Sequence, residues 1–333
     1  MRLPKYLQIE PVGQCNLRCT MCPIRFRRDG PPYGPPAFMD FDKFVRIVDE
    51  FVGLEILHLQ GLGEPMMHPR FFEMVSYAAN KGIRVTTNSN LTLVSQRKAE
   101  ECVTSGLDAL YVSIDGASPE TFERIRVRAK LERVLQNVVA VRDARARLQS
   151  DTPHLHMVVV VMRQNLDELP DLVRLAHRLS VESVFVQQLS HDFGERGLPS
   201  QYKPMIRFVD EQSLRSEPLH RVEEVFAETR KLAQELGVSL RLPHTGTRPY
   251  AADTPGRERC DWPFERAYVT YDGRALPCCV TSTPDRADFG DVTAPGSVQK
   301  VWRSEKLRVF RERLSSGDPP EVCRSCSVYH GTF

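Results

Sequence analysis

Short apolar runs that alternate with amphipathic stretches restrict the fold of this 333-residue sequence more than any other feature. The short runs end in polar residues, as buried strands do, and the amphipathic stretches have helical spacing. Strands that alternate with helices form right-handed parallel βα units. The predicted class is therefore α/β, a partial (β/α)6 TIM-like barrel. Strands are expected at residues 5–12, 55–60, 83–90, 109–116, 154–163 and 184–189, the fifth fully buried, and helices at 41–51, 71–81, 95–105 and 131–148.

Three cysteines near the amino end, Cys15, Cys19 and Cys22, share one short segment. Thiolates at this spacing can bind three corners of an iron–sulfur cubane and leave its fourth iron open, because no further Cys or His follows closely. A tetrahedral zinc site would need a fourth ligand, and buried cysteines on one helix face would have the same offsets. The flanking Gly13 and Pro23 indicate a loop, which favours the cluster.

The segment Gly13–Pro23, with Met21 before its last cysteine, resembles the signature of the radical S-adenosylmethionine (SAM) enzymes. The resemblance implies a 4Fe–4S cluster on Cys15, Cys19 and Cys22, with SAM bound to the open iron and Met21 beside it. Cleavage of SAM would yield a 5′-deoxyadenosyl radical that abstracts hydrogen from a substrate, so the cofactors supply the hard chemistry. The expected partner is an external one-electron donor, flavodoxin or ferredoxin.

Further segments agree with this resemblance in their order along the chain. Gly61–Pro65 resembles the family's GGEP segment, which implies that Gly63, Glu64 and Pro65 hold the SAM ammonium group, although Leu62 stands where Gly is usual. Other cofactor-binding candidates follow later strands, because the carboxyl ends of parallel strands line a barrel's site. As loop residues they could instead satisfy turns or helix caps. They are Asn88, Ser113, Asp115, Arg163 and Gln188.

A second set of cysteines lies near the carboxyl end and resembles an auxiliary-cluster extension of the SPASM or twitch type. Tyr268–Pro277 is typical of its hairpin, with Asp-Gly at the turn. The predicted domains are a radical SAM partial barrel over 1–245 and a small α+β auxiliary-cluster module over 246–333. The resemblance implies four ligands for a second 4Fe–4S cluster, namely Cys260, Cys278, Cys323 and Cys326.

The adjacent thiols Cys278 and Cys279 leave one ligand position open to choice. Gly273 stands five residues before Cys278 and favours it as the ligand. Cys279 is then either a spare thiol or a catalytic hydrogen-atom donor near the substrate. A four-cysteine zinc site remains the alternative for the whole set.

The overall composition limits the binding partners and the cell compartment that we expect for this protein. A net charge of +2 does not indicate nucleic-acid binding. No apolar run approaches the roughly 18 residues of a membrane span, and no secretory leader is visible. Nine cysteines suit cluster ligation in a reducing compartment better than disulfides. We therefore expect a cytoplasmic enzyme without nucleic-acid or membrane partners.

The auxiliary cluster suggests the reaction. With four thiolate ligands it could not bind substrate, so its remaining use is electron transfer, as in the two-electron oxidation of an alcohol. This resembles the single-cluster alcohol dehydrogenases of aminocyclitol antibiotic biosynthesis. Few residues precede the first strand, which leaves no room for a leader-peptide domain and favours a small polar metabolite. The alternatives are decarboxylation of a nucleoside sugar acid, epimerisation or thioether formation on a ribosomal peptide, and a non-enzymatic electron-transfer or zinc-stabilised protein.

Several polar side chains are candidates for substrate contact. His191 is the predicted catalytic base, because an unperturbed imidazole titrates near neutral pH; a surface histidine without a role is the alternative. The full set lies after the sixth strand, in the early Pro-Gly loop and near the last cysteine, and comprises Gln187, Gln188, His191, Asp192, Arg27, Tyr33, Tyr329 and His330.

Overall fold

The computed structural model describes residues 2–26, 37–189, 193–245 and 260–330. Within these ranges ten strands form one sheet in the order β10-β9-β8-β1-β2-β3-β4-β5-β6-β7. The strands are β1 (Tyr6–Ile9), β2 (Ile56–Leu59), β3 (Arg84–Ser89), β4 (Leu107–Ser113), β5 (His154–Val161), β6 (Ser183–Gln188), β7 (Ser239–Arg241), β8 (Arg266–Val269), β9 (Arg274–Leu276) and β10 (Gly290–Asp291).

Helices connect the strands and pack their apolar faces on the outside of the sheet. In α1, for example, Phe44 and Ile47 are fully buried. The helices are α1 (Phe41–Glu50), α2 (Phe71–Ala79), α3 (Gln96–Thr104), α4 (Pro119–Ile125), α5 (Leu131–Arg147), α6 (Leu169–Leu179), α7 (Lys203–Gln212), α8 (Leu219–Glu235), α9 (Trp262–Glu265), α10 (Ser297–Trp302), α11 (Glu305–Ser315) and α12 (Ser327–His330). In the described ranges no helix is both long and apolar enough to cross a bilayer.

The strands from β8 through β1 to β7 run parallel to their neighbours. In the described part of the chain β7 forms one edge of the sheet and β10 the other, so the barrel is open between β7 and β10. The α/β partial TIM-like barrel predicted from the alternating pattern is confirmed. The structure adds β7 beside the sixth predicted strand.

The carboxyl-terminal hairpin continues the barrel sheet. β8 and β9 pair antiparallel, and Gly273 in their turn has φ +90°, a conformation that favours glycine. β8 pairs in parallel with β1, Tyr6 lying opposite Arg266. The predicted domain boundary between residues 245 and 246 adjoins residues 246–259, which lie outside the described ranges, and it stays a prediction.

The fifth strand differs from its predicted full burial. His154 is exposed and both His156 and Val160 are half-buried, whereas the residues between them are buried. Side chains alternate across a strand, so one face of β5 packs under the helices and the other faces the inside of the open barrel. The apolar run concealed this alternation.

The segment after β6 is tied to the carboxyl-terminal part of the chain. Arg286 donates through Nε to Glu195 Oε1 at 2.6 Å, and both side chains are buried. Nearby, the backbone N–H of Gly194 donates to Ser325 Oγ at 3.0 Å. Because a buried charge needs its partner, these contacts fix the cysteine-containing carboxyl terminus against the barrel.

Candidate active site

The cysteines of the amino-terminal set lie in the loop that follows β1, at the carboxyl end of the barrel. Backbone hydrogen bonds from Arg18 to Val127 and from Thr20 to Ile125 hold this loop against the end of α4. Cys15 accepts hydrogen bonds from the backbone N–H of Leu17 at 3.4 Å and from Asn90 Nδ2 at 3.8 Å. Such N–H donors stabilise thiolates and tune the potential of a bound cluster.

A buried ion pair supports the second thiol of the set. Arg126 donates through Nε to Asp115 Oδ2 at 2.7 Å and through Nη1 to Cys19 Sγ at 3.9 Å. Asp115 also accepts from the backbone N–H of Val160 at 2.7 Å. Asp115 therefore orders the site through Arg126, which the sequence analysis did not identify.

The environment of the three thiols fits a metal cluster. Burial raises the pKa of each thiol, in the case of Cys22 to about 12, and neighbouring thiols add to the shift in Cys15 and Cys22. Grouped buried thiols would therefore stay protonated without a positive charge beside them. Iron supplies that charge, since a coordinating thiol is deprotonated.

The Gly61–Pro65 segment packs directly against the cluster loop. A Cβ on Gly63 would lie 2.1 Å from the carbonyl oxygen of Val12, so only glycine fits there. The backbone N–H of Glu64 donates to the carbonyl of Gln14 at 2.8 Å. Pro65 begins a short 3-10 helix that Glu64 caps. The backbone of this segment thus follows the cluster loop at contact distance.

The Glu64 carboxylate is buried and partly satisfied. Oε1 accepts from Ser89 Oγ at 2.6 Å, and Oε2 accepts from the backbone N–H of Asn90 at 2.8 Å. Burial raises its pKa despite these donors. An ammonium group bound here would offset that cost, because an opposite charge stabilises the ionised form.

A second buried carboxylate, Glu10 at the end of β1, was not identified from the sequence. Its Oε1 accepts from the backbone N–H of Leu62 at 3.0 Å and from the Tyr268 hydroxyl at 2.9 Å. Its Oε2 accepts from the backbone N–H of Tyr271 at 3.3 Å. Glu10 therefore joins the Gly61–Pro65 segment to the carboxyl-terminal hairpin, and Leu62 takes part through its backbone, as expected at a position that lacks the usual glycine.

The carboxyl-terminal cysteines form a second group. The pKa of Cys323 is raised by burial and then by Cys278, Cys326 and Cys260, so these thiols are neighbours. Cys279 instead raises the pKa of Tyr6, after the larger effect of burial. Cys278 is thus a neighbour of Cys323, and Cys279 lies near the first residue of β1. The choice of Cys278 as the ligand stays a prediction.

Neither cysteine set has the geometry of a single-ion site. Within the ranges that the structure describes, no three His, Cys, Asp or Glu side chains are grouped so as to hold one metal ion. A tetrahedral zinc ion needs its ligands at one point, whereas each thiolate on a cubane binds a separate iron.

Inside the open barrel lies a cavity of about 510 Å³, which we call the lumen. It is lined by alternate residues of the strands, and its polar and aromatic members include Tyr6, His58, Thr86, Asn88, Tyr111 and His156. Asn88 is followed by Ser89 and Asn90, which contact Glu64 and Cys15. Tyr6, at the other end, packs on the apolar cluster of Trp262, Tyr268 and Leu276, and so do Cys260, Cys278 and Cys279. The lumen therefore lies between the two cysteine sets.

Two histidines in the lumen are held neutral by burial. His58 contacts Thr86 Oγ1 at 2.7 Å through Nδ1 and Gln60 Oε1 at 3.0 Å through Nε2, and burial lowers its pKa to about 4. His156 contacts Ser183 Oγ at 2.7 Å through Nδ1 and stacks on Tyr111 with ring centroids 4.8 Å apart. Burial lowers the pKa of His156 as well.

Two predicted cofactor-binding residues have other side-chain partners in the structure. Arg163 is exposed and pairs with Glu217 at 2.5 Å, because its side chain turns outward from the end of β5. Gln188 donates to the His244 carbonyl at 2.6 Å, while its neighbour Gln187 lines the lumen. Arg163 and Gln188 stay predicted cofactor contacts, although their side chains have these other partners in the structure.

Of the predicted substrate contacts, some do not line the lumen and others lie outside the described residues. Tyr329 is buried with Leu314 and Cys326, and His330 contacts the Arg324 carbonyl at 2.6 Å, so neither lines the lumen. Met21 is half-buried and packs against the core, and Ser113 is the half-buried last residue of β4. Arg27, Tyr33, His191 and Asp192 lie outside the described residues.

Comparison with known proteins decides the family. A model of the radical SAM superfamily matches residues 9–176, and a model of an iron-sulfur cluster-binding domain, SPASM, matches residues 260–327. The chain belongs to the radical SAM superfamily. It is a SPASM-type radical SAM enzyme, and its cofactors are SAM and two 4Fe–4S clusters.

Relatives of this radical SAM enzyme cover nearly its whole length. The tungsten-containing aldehyde ferredoxin oxidoreductase cofactor-modifying protein of Pyrococcus furiosus is 26% identical over 97% of the chain and 87% of that protein. Streptococcus suis SuiB, solved bound to the precursor peptide SuiA, matches 99% of the chain and 71% of its own with a TM-score of 0.66 and 15% identity. BtrN in complex with AdoMet and 2-DOIA matches 98% and 94% with a TM-score of 0.53 and 14% identity.

Loss of the Glu10 carboxylate should destabilise the radical SAM enzyme. Glu10→Ala leaves the Leu62 and Tyr271 N–H groups without their acceptor, at a cost of about 1–3 kcal/mol each. Anaerobic urea unfolding of the cluster-loaded protein measures this loss. The exposed Glu55, paired with Lys5 on the surface, is the matched control, and Glu55→Ala should cost less than about 1 kcal/mol. Equal losses in the two variants would contradict the role of Glu10.

Because of His58, the free energy of unfolding should fall as the pH is lowered. Its folded pKa of about 4 lies below its ordinary value of 6.5, so only the unfolded chain takes up a proton between these values. The contribution of neutral His58 to the free energy of unfolding is complete above pH 6.5 and declines as the pH falls toward 4. At pH 5 the decline is about 2 kcal/mol. His58→Gln should reduce the difference in unfolding free energy between pH 7 and pH 5 by that amount. The exposed His220→Gln is the control, and an unchanged difference in the His58 variant would refute the assignment.

Proposed function

We propose that this radical SAM enzyme oxidises an alcohol of a small polar metabolite, of sugar, aminocyclitol or nucleoside type, by two electrons in natural-product biosynthesis. One observation carries the proposal: the lumen of about 510 Å³ between the two cysteine sets. Its volume falls within the range of small-molecule sites. A substrate held there would have one set at each end, which suits removal of a hydrogen atom at one end and an electron at the other.

When bound, the cofactors supply the radical that takes the carbinol hydrogen atom and the auxiliary cluster that accepts the remaining electron, while the hydroxyl proton passes to a base and a ketone or aldehyde forms. The chain's own residues hold these groups in place. Cys15, Cys19 and Cys22 are the proposed ligands at the carboxyl end of the barrel. Glu64 is the proposed partner of the SAM ammonium group, with Met21, Gly63, Pro65, Asn88 and Ser113 around it.

His156 is the base that the described lumen supports. Of the two ring nitrogens of His156, only Nδ1 has a hydrogen-bond partner among the described residues, namely Ser183. When the proton is on Nδ1, Nε2 is an acceptor. Burial lowers its pKa, so the imidazole is neutral and able to accept a proton at neutral pH. His191, the base expected from the sequence, lies outside the described residues and stays a prediction.

A second candidate is modification of a ribosomal peptide, by thioether formation or epimerisation. Similarity to SuiB, solved with a precursor peptide, favours it. The similarity to BtrN, solved with a small molecule, favours the first candidate. Both likenesses are at low identity and reflect the fold, so the substrate itself must separate the two functions.

Deuterium transfer tests the proposed function. The anaerobically reconstituted enzyme is incubated with SAM, reductant and candidate sugars, aminocyclitols and nucleosides that carry deuterium at the carbinol carbon. We expect deuterium in 5′-deoxyadenosine together with a ketone or aldehyde product. Transfer from a peptide alone would overturn the substrate class.

Cysteine variants test the division of labour in the same assay. Replacing Cys15, Cys19 and Cys22 by Ala should abolish SAM cleavage, whereas Cys323→Ala with Cys326→Ala should leave some cleavage and stop product formation. The control is Cys102→Ala, a buried thiol in α3 outside both sets.

His156→Gln should separate hydrogen abstraction from proton removal. Loss of a general base typically lowers a rate by about 10²–10⁴-fold. We therefore expect ketone formation to fall by about that factor while deuterium still enters 5′-deoxyadenosine. His177→Gln, on the outer helix α6, should leave both signals unchanged. Unaltered ketone formation in His156→Gln would exclude His156 as the base.

A further inference from the structure

Two arginines that line the lumen have no part in the proposed function. Arg84 is the first residue of β3 and Arg241 the last residue of β7, and both line the lumen. Three strands separate β3 from β7 in the sheet, so the two arginines belong to different parts of the lumen lining.

Within the described residues, neither guanidinium is paired with a carboxylate. Among the described residues Arg84 and Arg241 form no ion pair and no side-chain hydrogen bond, in contrast to Arg126 and Arg286, which are paired in the interior. Asp108 is the single carboxylate among the residues that line the lumen. The lining therefore has a net charge of +1, from two arginines and one aspartate, because burial keeps its inner histidines neutral.

The charge of Arg84 acts inside the lumen. Burial raises the pKa of the Tyr111 phenol, Arg84 opposes that shift, and Asp108 adds to it. Tyr111 stacks on His156, the proposed base. The field of Arg84 thus extends to the ring beside the reacting position.

We propose that the lumen binds a small hydroxylated molecule that bears an oxyanion, a carboxylate or a phosphate, and that Arg84 and Arg241 supply the positive charge that attracts it. Guanidinium groups bind planar oxyanions through paired hydrogen bonds, which gives both affinity and orientation. Thr86, Asn88 and Gln187 line the walls and can meet hydroxyl groups. The proposal rests on the lumen as the substrate site of the proposed function and names the substrate's charge.

Binding of paired probes tests the proposal without SAM cleavage. Calorimetry on the anaerobic, cluster-loaded enzyme compares galacturonate with galactose, glucose 6-phosphate with glucose, and inorganic phosphate alone. We expect an anionic sugar to bind at least about tenfold more tightly than its neutral partner, since hydrogen bonds to charged groups contribute roughly 1.5–3 kcal/mol. The carboxylate and phosphate arms show which oxyanion is preferred, and phosphate alone shows whether the sugar contributes.

Arginine variants locate the binding. Arg84→Gln and Arg241→Gln should each weaken the anionic probe about tenfold and leave the neutral probe unchanged. Arg178→Gln, an exposed arginine on α6, is the matched control and should change neither. Thermal unfolding confirms that the variants are folded. Three results would overturn the proposal: equal affinity for charged and neutral probes, no binding of any anion, or equal losses in Arg178→Gln.

The failure of this inference and the failure of the proposed function are distinguishable. Anion binding that depends on Arg84 and Arg241, without deuterium transfer from any alcohol, would keep the substrate charge and refute alcohol oxidation. Deuterium transfer from a neutral alcohol, with no preference for anions, would keep the oxidation and refute the oxyanion.

Discussion

The parallel pairing of β8 with β1 is the interaction on which the site depends. Leu7 lies opposite Ala267 and Ile9 opposite Val269, so the carboxyl-terminal part of the chain adds its first strand in register with the first strand of the barrel. One end of β1 leads into the cluster loop, and Tyr6 at its other end packs on the same apolar cluster as Cys260, Cys278 and Cys279. A strand rises about 3.3 Å per residue, so β1 sets the separation between the two sets. Two cysteine groups remote in sequence thereby share one cavity.

Buried charges hold this arrangement, and each has a partner that ties distant segments together. Glu10 joins the Gly61–Pro65 segment to the hairpin, and Asp115 joins β5 to Arg126 and thus to Cys19. Burying a carboxylate without donors would cost several kcal/mol, so these groups stabilise only the conformation in which their donors converge. These buried charged groups fix the positions of the backbone segments that would bind the cluster and SAM.

The sequence predicted what is encoded locally. The strand and helix bounds agree within a few residues, since apolar period and caps are local, and the hairpin turn follows from its Asp-Gly pair. Glu10 and Arg126 were missed because their partners are far away in sequence: Tyr268 is 258 residues from Glu10, and Cys19 is 107 residues from Arg126. Arg163 shows the converse. A position at a strand end indicated the site, but its side chain turned outward to Glu217, and only the tertiary structure determines that direction.

The lumen explains why β5 looked like a buried strand. Closed parallel barrels fill their interior with branched apolar side chains, and the run of valines in β5 is consistent with such a core. This barrel is open between β7 and β10, and its inner face carries Tyr111, His156 and Thr86 instead. A polar interior loses the hydrophobic contribution of a filled core, and hydrogen bonds such as that of His58 to Thr86 offset part of the loss. The structure tolerates this because the helices bury the opposite face of each strand. The inside of the sheet is thereby left for a ligand, while the outside supplies the stability.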